Sequence, residues 1–347
     1  MKSCFDCTPV LSLQFRSASL AWHEHTLCVS FVPQALHVWQ QRRRCREIRD
    51  NKSPLPRGGR LAELAHGTCH YRLDGADNIG PLVVLVHGMV RNSCYLSVLA
   101  SELVRLNRRV LLWDLGGRGW SSYGAALPHT PALFAGQLAE LLLAIGEHDE
   151  IDLAGYSMGA PIAAKFAATF PSRVRSLVLI CPAGTTAGPC LPKWLPALFS
   201  IPVLSTVLAR YSLSTMDSAS EWESPSGSHW DVCCQLEEAT TRNEPALPHS
   251  FVNTVRHFAL NASEHHFADV GKLRPKRLGV LVVCGSDDDV IPLGAAAIIQ
   301  HHVPHATLHT VAGGDHALMS HVTCENTSCH SEVNPVAHTS ESCLTSE

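Results

Sequence analysis

The fold is decided by the stretch Glu150-Ile151-Asp152-Leu153-Ala154-Gly155-Tyr156-Ser157-Met158-Gly159 and the small residues that follow it. Residues 150–154 resemble a buried strand, and residues 160–170 form a helical pattern that Pro171 ends. A strand that turns abruptly into a helix presents its turn residue, Ser157, at the carboxyl edge of a sheet. The N-terminus of the helix also favours a negative charge beside Ser157. The pattern G-x-S-x-G in this position therefore predicts a serine nucleophile.

Short β-like segments alternate with apolar helical segments over most of the chain from about His70. Strands are predicted at residues 82–86, 109–113, 150–154, 174–181, 278–284 and 307–311. Helices are predicted at residues 95–106, 133–145, 160–170 and 293–301. The first of these strands is apolar throughout, which is typical of strands covered on both faces. The alternation predicts an α/β protein with a mostly parallel central sheet and helices on both faces.

Composition divides the chain into five segments. Residues 1–60 are predicted to be a poorly ordered N-terminal extension, which ends in a run rich in proline and glycine. The core is expected in two parts, residues 61–182 and 271–320. Between them, residues 183–270 interrupt the alternation with prolines and tryptophans, and we expect a helical cap there. Residues 321–347 are rich in Ser, Thr, His and Glu and are predicted to be a disordered tail.

The composition also limits the partners. The chain has 347 residues, 46% of them hydrophobic, and a formal net charge of −4, so no basic face for a nucleic acid is expected. No run reaches the roughly 18 apolar residues of a membrane-spanning helix, and the N-terminus is a poor secretory signal. We expect a cytoplasmic protein. Residues 31–39 and the basic residues 42–46 are interpreted as a solvated helix or a disordered arm. The alternative is a short amphipathic helix that contacts a membrane surface.

The cysteines do not indicate a disulfide scaffold or a metal site. Fourteen cysteines are scattered from Cys4 to Cys343, which is typical of free thiols in a reducing compartment rather than of a short, cysteine-dense secreted domain. A zinc site can be drawn from His321, Cys324, Cys329 and His330, but their Ser- and Thr-rich flanks favour chance. We predict no metal and no cofactor.

Further motifs lie in a fixed order around the serine. His87-Gly88-Met89 ends the first strong strand, and Asp114-Leu115-Gly116-Gly117-Arg118-Gly119-Trp120-Ser121 follows the second. Later come Gly285-Ser286-Asp287-Asp288-Asp289-Val290-Ile291-Pro292 and Gly313-Gly314-Asp315-His316. With the serine motif, these segments resemble the α/β-hydrolase superfamily, in its branch of lipases, esterases and related serine hydrolases. The resemblance extends from about residue 70 to 319 and implies the family's order of serine, acid and histidine.

The acid and the base each have competitors in the sequence. A serine needs a base, and His316 follows a predicted strand and a Gly-Gly turn, unlike His305, His309 and His321. The base needs an acid that fixes its tautomer. The spacing of the family's acid loop selects Asp288, and leaves Asp287 and Asp289 on a solvated loop face. We therefore predict the catalytic residues Ser157, Asp288 and His316.

Backbone N–H groups would form the oxyanion hole. The N–H of Met158 lies at the N-terminus of the helix, and the resemblance implies that of Met89 as the second donor. Asp114, Arg118 and Ser121 are expected to brace the neighbouring turn. The predicted activity is cleavage of a carboxylic ester through an acyl-enzyme, with a small-molecule or lipid substrate such as an acylglycerol.

The serine nucleophile does not separate an esterase from a thioesterase, an amidase, a carbon–carbon hydrolase or an acyltransferase. An acyltransferase or a thioesterase would use the same residues. A non-catalytic scaffold is the other alternative, because no long apolar helix is apparent after His316. An apolar cluster in the cap would line an acyl pocket or pack on the sheet edge; its members are Leu191, Trp194, Leu195, Leu198, Phe199, Ile201, Val203 and Leu204.

Overall fold

The computed structural model describes residues 55–122, 127–187, 199, 201–218, 247–273 and 278–318. The predictions for residues 1–54, for much of the cap and for the C-terminal tail lie outside the described residues. So does the candidate zinc cluster of the tail. Within the described ranges, no helix is long and apolar enough to cross a membrane.

Eight strands form one sheet in the order β1-β2-β4-β3-β5-β6-β7-β8. Their bounds are β1 Arg60–Leu64, β2 Gly67–Asp74, β3 Leu82–Val86, β4 Arg109–Trp113, β5 Ile151–Tyr156, β6 Val174–Ile180, β7 Gly279–Gly285 and β8 Thr307–Val311. The pairings β1–β2 and β2–β4 are antiparallel, and all the others are parallel. The mostly parallel sheet predicted from the sequence is confirmed.

Helices cover both faces of the sheet. Seven α-helices are described: α1 Ser97–Arg105, α2 Pro131–Ala144, α3 Gly159–Thr169, α4 Pro202–Ser218, α5 Leu247–His257, α6 Glu264–Gly271 and α7 Gly294–His302. Alternate residues of the strands point to opposite faces. Val84 and Leu153 pack with side chains of α2, α3, α6 and α7. Leu85 and Ala154 pack on the other face with Ala100 of α1.

The antiparallel hairpin β1–β2 was not predicted. It begins at Arg60, the last residue of the predicted extension. Its first strand is only partly buried, and Arg60 and Glu63 interrupt any apolar run. A second difference concerns residues 95–106, where a 3-10 turn, Ser93–Leu96, precedes α1. The side chain of Asn92 accepts a hydrogen bond from the N–H of Cys94 and starts this turn.

Three described helices, α4 to α6, lie between β6 and β7. Helix α4 packs against α5, whereas α6 packs against α3 and therefore lies on the helical layer of the core. The described members of the predicted apolar cluster differ in their exposure to solvent. Phe199 is buried, while Ile201 and Leu204 are exposed. The bounds 183–270 for a cap stay a prediction.

Candidate active site

Ser157 lies in a strained turn between β5 and α3. Its φ of 53° is in the left-handed region, which costs a residue with a side chain about 1 kcal/mol or more. The surrounding backbone holds this conformation, because the N–H of Ser157 donates to Ile180 (2.9 Å) and its carbonyl accepts from Ala160 (3.0 Å) and Ala183 (3.2 Å). Strain kept by such a frame is typical of functional positions.

The glycines of the motif allow the strand and the helix to approach. A Cβ at Gly155 would collide with the carbonyl of Gly159, and a Cβ at Gly159 would collide with the carbonyl of Val86. Backbone atoms cannot move aside as a flexible side chain can. The sharp turn that exposes Ser157 therefore depends on both glycines.

One hydrogen-bonded series joins Ser157, His316 and Asp288. His316 follows β8, and its Nε2 lies 3.1 Å from the Oγ of Ser157. Its Nδ1 lies 2.9 Å from Oδ2 of Asp288, which follows β7. An ionised carboxylate can only accept, so Nδ1 carries a proton and Nε2 is left to accept the serine proton. The structure thus brings together the three side chains predicted as catalytic, although their roles stay a prediction.

Asp288 differs from its two neighbours in burial and in bonding. It is buried, whereas Asp287 and Asp289 are exposed, as expected for a solvated loop face. Its Oδ1 accepts the N–H groups of Val290 (3.0 Å) and Ile291 (2.6 Å). Burial acts to raise the pKa of Asp288, but the hydrogen bonds and charge of the groups around it, His316 first, outweigh burial and lower the pKa. Asp288 is therefore a carboxylate at neutral pH.

The loop proposed for the oxyanion hole is fixed from both sides. Nε2 of His87 accepts the N–H of Leu115 at 3.0 Å, so Nδ1 carries the proton that is donated to Gly88 O at 2.8 Å. Burial lowers the pKa of His87 to about 4, and the ring is neutral at pH 7. The carbonyl of Met89 accepts from Nε of Arg118 at 2.6 Å.

The segments that carry the two predicted oxyanion donors pass next to the nucleophile. Met158 directly precedes α3, so its N–H has no acceptor within the helix. The loop that carries Met89 passes close by, because a Cβ at Gly88 would lie 3.4 Å from Cβ of Ser157. Their use as an oxyanion hole stays a prediction.

Asp114 braces the turn that follows β4, as expected from the sequence. The buried carboxylate accepts from the N–H groups of Ser93 and Trp120, both at 2.9 Å, and lies 2.8 Å from Nδ1 of His70. Burial acts to raise the pKa of Asp114, but His70 above all holds it well below its usual range. Arg118 donates to Thr254 Oγ1 at 2.7 Å and so connects this loop to α5.

Two neighbours of the triad were not found from the sequence. Cys181 directly follows β6, is buried and has a φ of 42°. Its Sγ, a carboxylate oxygen of Asp288 and a ring nitrogen of His316 all lie within 4.8 Å of one another. Burial, then the charge of Asp288, raises the pKa of the Cys181 thiol, which therefore stays protonated at neutral pH. Tyr156 donates its hydroxyl proton to the carbonyl of His316 at 2.7 Å. No local pattern signals either contact, because each depends on residues far apart in the chain.

A mostly parallel sheet that carries Ser, Asp and His, in this chain order, in one hydrogen-bonded series is the arrangement of serine hydrolases with the α/β-hydrolase fold. The sequence profile of the family described as alpha/beta hydrolase fold matches residues 81–321. The chain belongs to the α/β-hydrolase family, and its activity class is that of a hydrolase.

The chain is similar in sequence to named hydrolases and in structure to a solved esterase. The chain is 30% identical over 216 residues to the 2-hydroxy-6-oxononadienedioate/2-hydroxy-6-oxononatrienedioate hydrolase 1 of Dechloromonas aromatica, covering 60% of this chain and 69% of that protein. It is 28% identical over 240 residues to the 2-hydroxy-6-oxo-2,4-heptadienoate hydrolase of Pseudomonas putida, covering 66% and 80%. Among solved structures, an esterase from Exiguobacterium antarcticum has a TM-score of 0.59 at 17% identity, covering 74% of this chain and 92% of that one. This last likeness concerns the fold alone.

Proposed function

We propose that the protein is a serine hydrolase that cleaves a carboxylic ester through an acyl-enzyme. The observation that carries the proposal is the contact of His316 Nε2 with Ser157 Oγ at 3.1 Å, backed by Asp288 on the other ring nitrogen at 2.9 Å. A serine hydroxyl is a weak nucleophile until a base in this position takes its proton.

The chemistry follows from these positions. Ser157 Oγ attacks the ester carbonyl carbon and its proton passes to His316 Nε2. The negative charge that forms on the carbonyl oxygen is bound by the N–H groups of Met158 and Met89. The C–O bond to the alcohol breaks, and His316 protonates the leaving oxygen. Water then attacks the acyl group and gives a proton to His316. The bond from the acyl carbon to Ser157 Oγ breaks, His316 returns that proton to Ser157 Oγ, and the acid is released.

An apolar acyl group, as in a glycerolipid or a similar ester, is the favoured substrate. Phe199, Ala209, Phe251, Val252 and Val255 form a buried apolar cluster of the cap region. Met89 and Val90, in the loop proposed for the oxyanion hole, pack directly against this cluster. A group bound beside that loop would therefore meet hydrocarbon, which favours an uncharged chain over a charged one.

The relatives support a second candidate reaction. Their named substrates carry a ketone and one or two carboxylates but no ester, so hydrolysing them breaks a carbon–carbon bond. Such a substrate would need a cation in the pocket for its carboxylate. Transfer of the acyl group to an alcohol, or hydrolysis of a thioester, would also start from the same acyl-enzyme.

A fluorophosphonate probe tests the nucleophile. We expect the wild type to be labelled and Ser157→Ala to remain unlabelled. The control Ser101→Ala should be labelled like the wild type, because Ser101 lies on α1 and is not part of the turn that carries Ser157. Equal labelling of wild type and Ser157→Ala would refute the proposal. Absence of labelling together with no turnover of any ester would favour a non-catalytic scaffold.

A substrate panel tests the bond and the acyl group. It contains p-nitrophenyl esters of increasing chain length, an acylglycerol, a thioester and a 2-hydroxy-6-oxo-dienoate. We expect the highest kcat/KM for esters with longer apolar chains. Faster turnover of the dienoate would favour carbon–carbon cleavage, and transfer exceeding hydrolysis when an alcohol is added would favour an acyltransferase.

A further inference from the structure

Tyr156 contacts the predicted base, although it belongs to the nucleophile motif. It is the last residue of β5, and its buried hydroxyl donates to the carbonyl oxygen of His316 at 2.7 Å. Its ring also lies against the imidazole, with the centroids 5.4 Å apart and the planes at 36°. One side chain thus contacts both the backbone and the ring of His316.

A second tyrosine lies beside the first. Tyr95 is buried, its hydroxyl oxygen lies 3.3 Å from that of Tyr156, and the two ring centroids are 5.2 Å apart. A carbonyl can only accept, so Tyr156 uses its single proton for His316 and accepts the proton of Tyr95. Burial raises the pKa of Tyr156 well above its usual value, and the donor therefore stays protonated at neutral pH.

The segment around His316 lies at the edge of the sheet, where few neighbouring elements hold it. It follows β8, an edge strand that pairs with β7 and is mostly exposed. Three hydrogen bonds hold the turn that precedes His316. The N–H of Gly313 donates to Ser286 Oγ at 2.8 Å, Gly314 O accepts the N–H of Asp287 at 2.9 Å, and the N–H of Gly314 donates to Val311 O at 3.2 Å. Tyr156 adds the contact to His316 itself.

We propose that Tyr156 is a positioning residue, whose hydroxyl holds the backbone of His316 so that the imidazole stays within reach of Ser157. Because Tyr156 and Ser157 are consecutive, the nucleophile and the support of its base belong to one rigid stretch of chain. The inference rests on the proposed function for its catalytic meaning. A displacement of about 1 Å in such a group can cost about 100-fold in rate.

Tyr156→Phe tests this role, because it removes the hydroxyl and keeps the ring. With a short-chain ester as substrate, we expect kcat to fall about 10- to 100-fold and KM to change by less than about 3-fold, since the change concerns the base rather than the pocket. Tyr95→Phe is the matched control: it removes a hydroxyl from the same buried cluster and leaves the bond to His316, so a loss of at most about 3-fold is expected.

A measurement without substrate separates this inference from the proposed function. The Nδ1–H proton of His316, bonded to Asp288, is followed by proton NMR in the full chain. We expect its signal to shift or broaden in Tyr156→Phe and to persist in Tyr95→Phe. If the signal changes in Tyr156→Phe alone and the wild type has no hydrolase activity, the proposed function is contradicted, but the positioning of His316 by Tyr156 is still supported.

Two outcomes would overturn the inference. The first is an unchanged Nδ1–H signal and an unchanged kcat in Tyr156→Phe. The second is an equal loss of kcat in both tyrosine variants that follows their thermal stability, because a purely structural role of the cluster predicts that parallel.

Discussion

The carboxylate of Asp288 lies 2.9 Å from Nδ1 of His316, and its other oxygen is held by two backbone N–H groups. The acid is therefore oriented from one side while it orients the base from the other. An amide at this position would offer only one accepting oxygen, and its NH2 group would favour the wrong tautomer of the ring. We expect Asp288→Asn to lower kcat for an ester by about 10³-fold or more, with KM little changed.

The run of three aspartates offers a control for this prediction. Asp289 is adjacent and exposed, and the same substitution there leaves the hydrogen bond to His316 intact. Asp289→Asn should retain kcat within about 2-fold. Steady-state kinetics of both variants shows which aspartate acts on His316. Comparable losses would mean that the acid has been assigned to the wrong residue.

His87 should make stability depend on pH. Its ordinary pKa is 6.5, and burial lowers it to about 4 in the folded protein. Between pH 6.5 and pH 4, His87 binds a proton in the unfolded chain but not in the folded chain. The contribution of His87 to the free energy of unfolding is therefore fully present above pH 6.5 and is lost as the pH falls to 4. The loss amounts to about 3.5 kcal/mol at most, since one unit of pKa corresponds to about 1.4 kcal/mol.

Urea unfolding at a series of pH values measures this loss. His87→Gln lacks the titrating group, so its free energy of unfolding should fall less steeply between pH 6.5 and 4 than that of the wild type. His309→Gln serves as control, because His309 is exposed on β8. Parallel curves for wild type and His87→Gln would contradict the buried, neutral imidazole.

The buried pair of His70 and Asp114 predicts a different sensitivity. Both side chains are almost completely buried, and Asp114 also accepts two backbone N–H groups. Removing the charge of one partner in such a site typically costs about 3–5 kcal/mol. Asp114→Asn should therefore lower the free energy of unfolding by about 3 kcal/mol, measured by urea titration at neutral pH.

An exposed ion pair provides the comparison. Nζ of Lys272, the residue after α6, donates to Oδ1 of Asp269 on α6 at 2.8 Å, and the two side chains are 75% and 42% exposed. Asp269→Asn should change stability by less than about 1 kcal/mol. If Asp114→Asn also lowered the free energy of unfolding by less than about 1 kcal/mol, the contact of Asp114 with His70 would make no net contribution to stability.

The sequence predicts best what depends on local pattern. Apolar runs located the buried strands, and β8 was predicted with the bounds it has in the structure. Ser157 and His316 were predicted from turns that follow strands, and Asp288 from the spacing of the family's acid loop; the structure places the three side chains in hydrogen-bond contact. The hairpin β1–β2 was missed because it lies at the edge of the sheet, where residues such as Arg60 and Glu63 replace the apolar signal.

Contacts between distant positions were beyond the reach of the sequence. Tyr156 and His316 are separated by 160 positions, and nothing around Tyr156 distinguishes a support of the base from an ordinary core tyrosine. The same holds for Cys181, which approaches Asp288 only because β6 and β7 are neighbours in the sheet. Such roles appear once the register of the strands is known.

The glycines of the nucleophile turn give a last prediction. A methyl group at Gly159 would collide with the carbonyl oxygens of Val86 and His87, which are backbone atoms and have little freedom to move. Gly136, in the middle of α2, has nothing within 4 Å of the same added atom. We therefore expect opposite effects of the same substitution. Gly159→Ala should abolish most of the activity and destabilise the fold, whereas Gly136→Ala should stabilise it by up to about 1 kcal/mol through helix propensity.

Thermal unfolding and ester hydrolysis, measured on both variants, test the pair. The stabilising change at Gly136 shows whether the protein tolerates an added methyl group on a helix in general. A Gly159→Ala protein with the stability and activity of the wild type would then mean that β3 and the start of α3 are further apart than the structure has them. In that case the sharp turn at Ser157 would not depend on close packing of strand against helix.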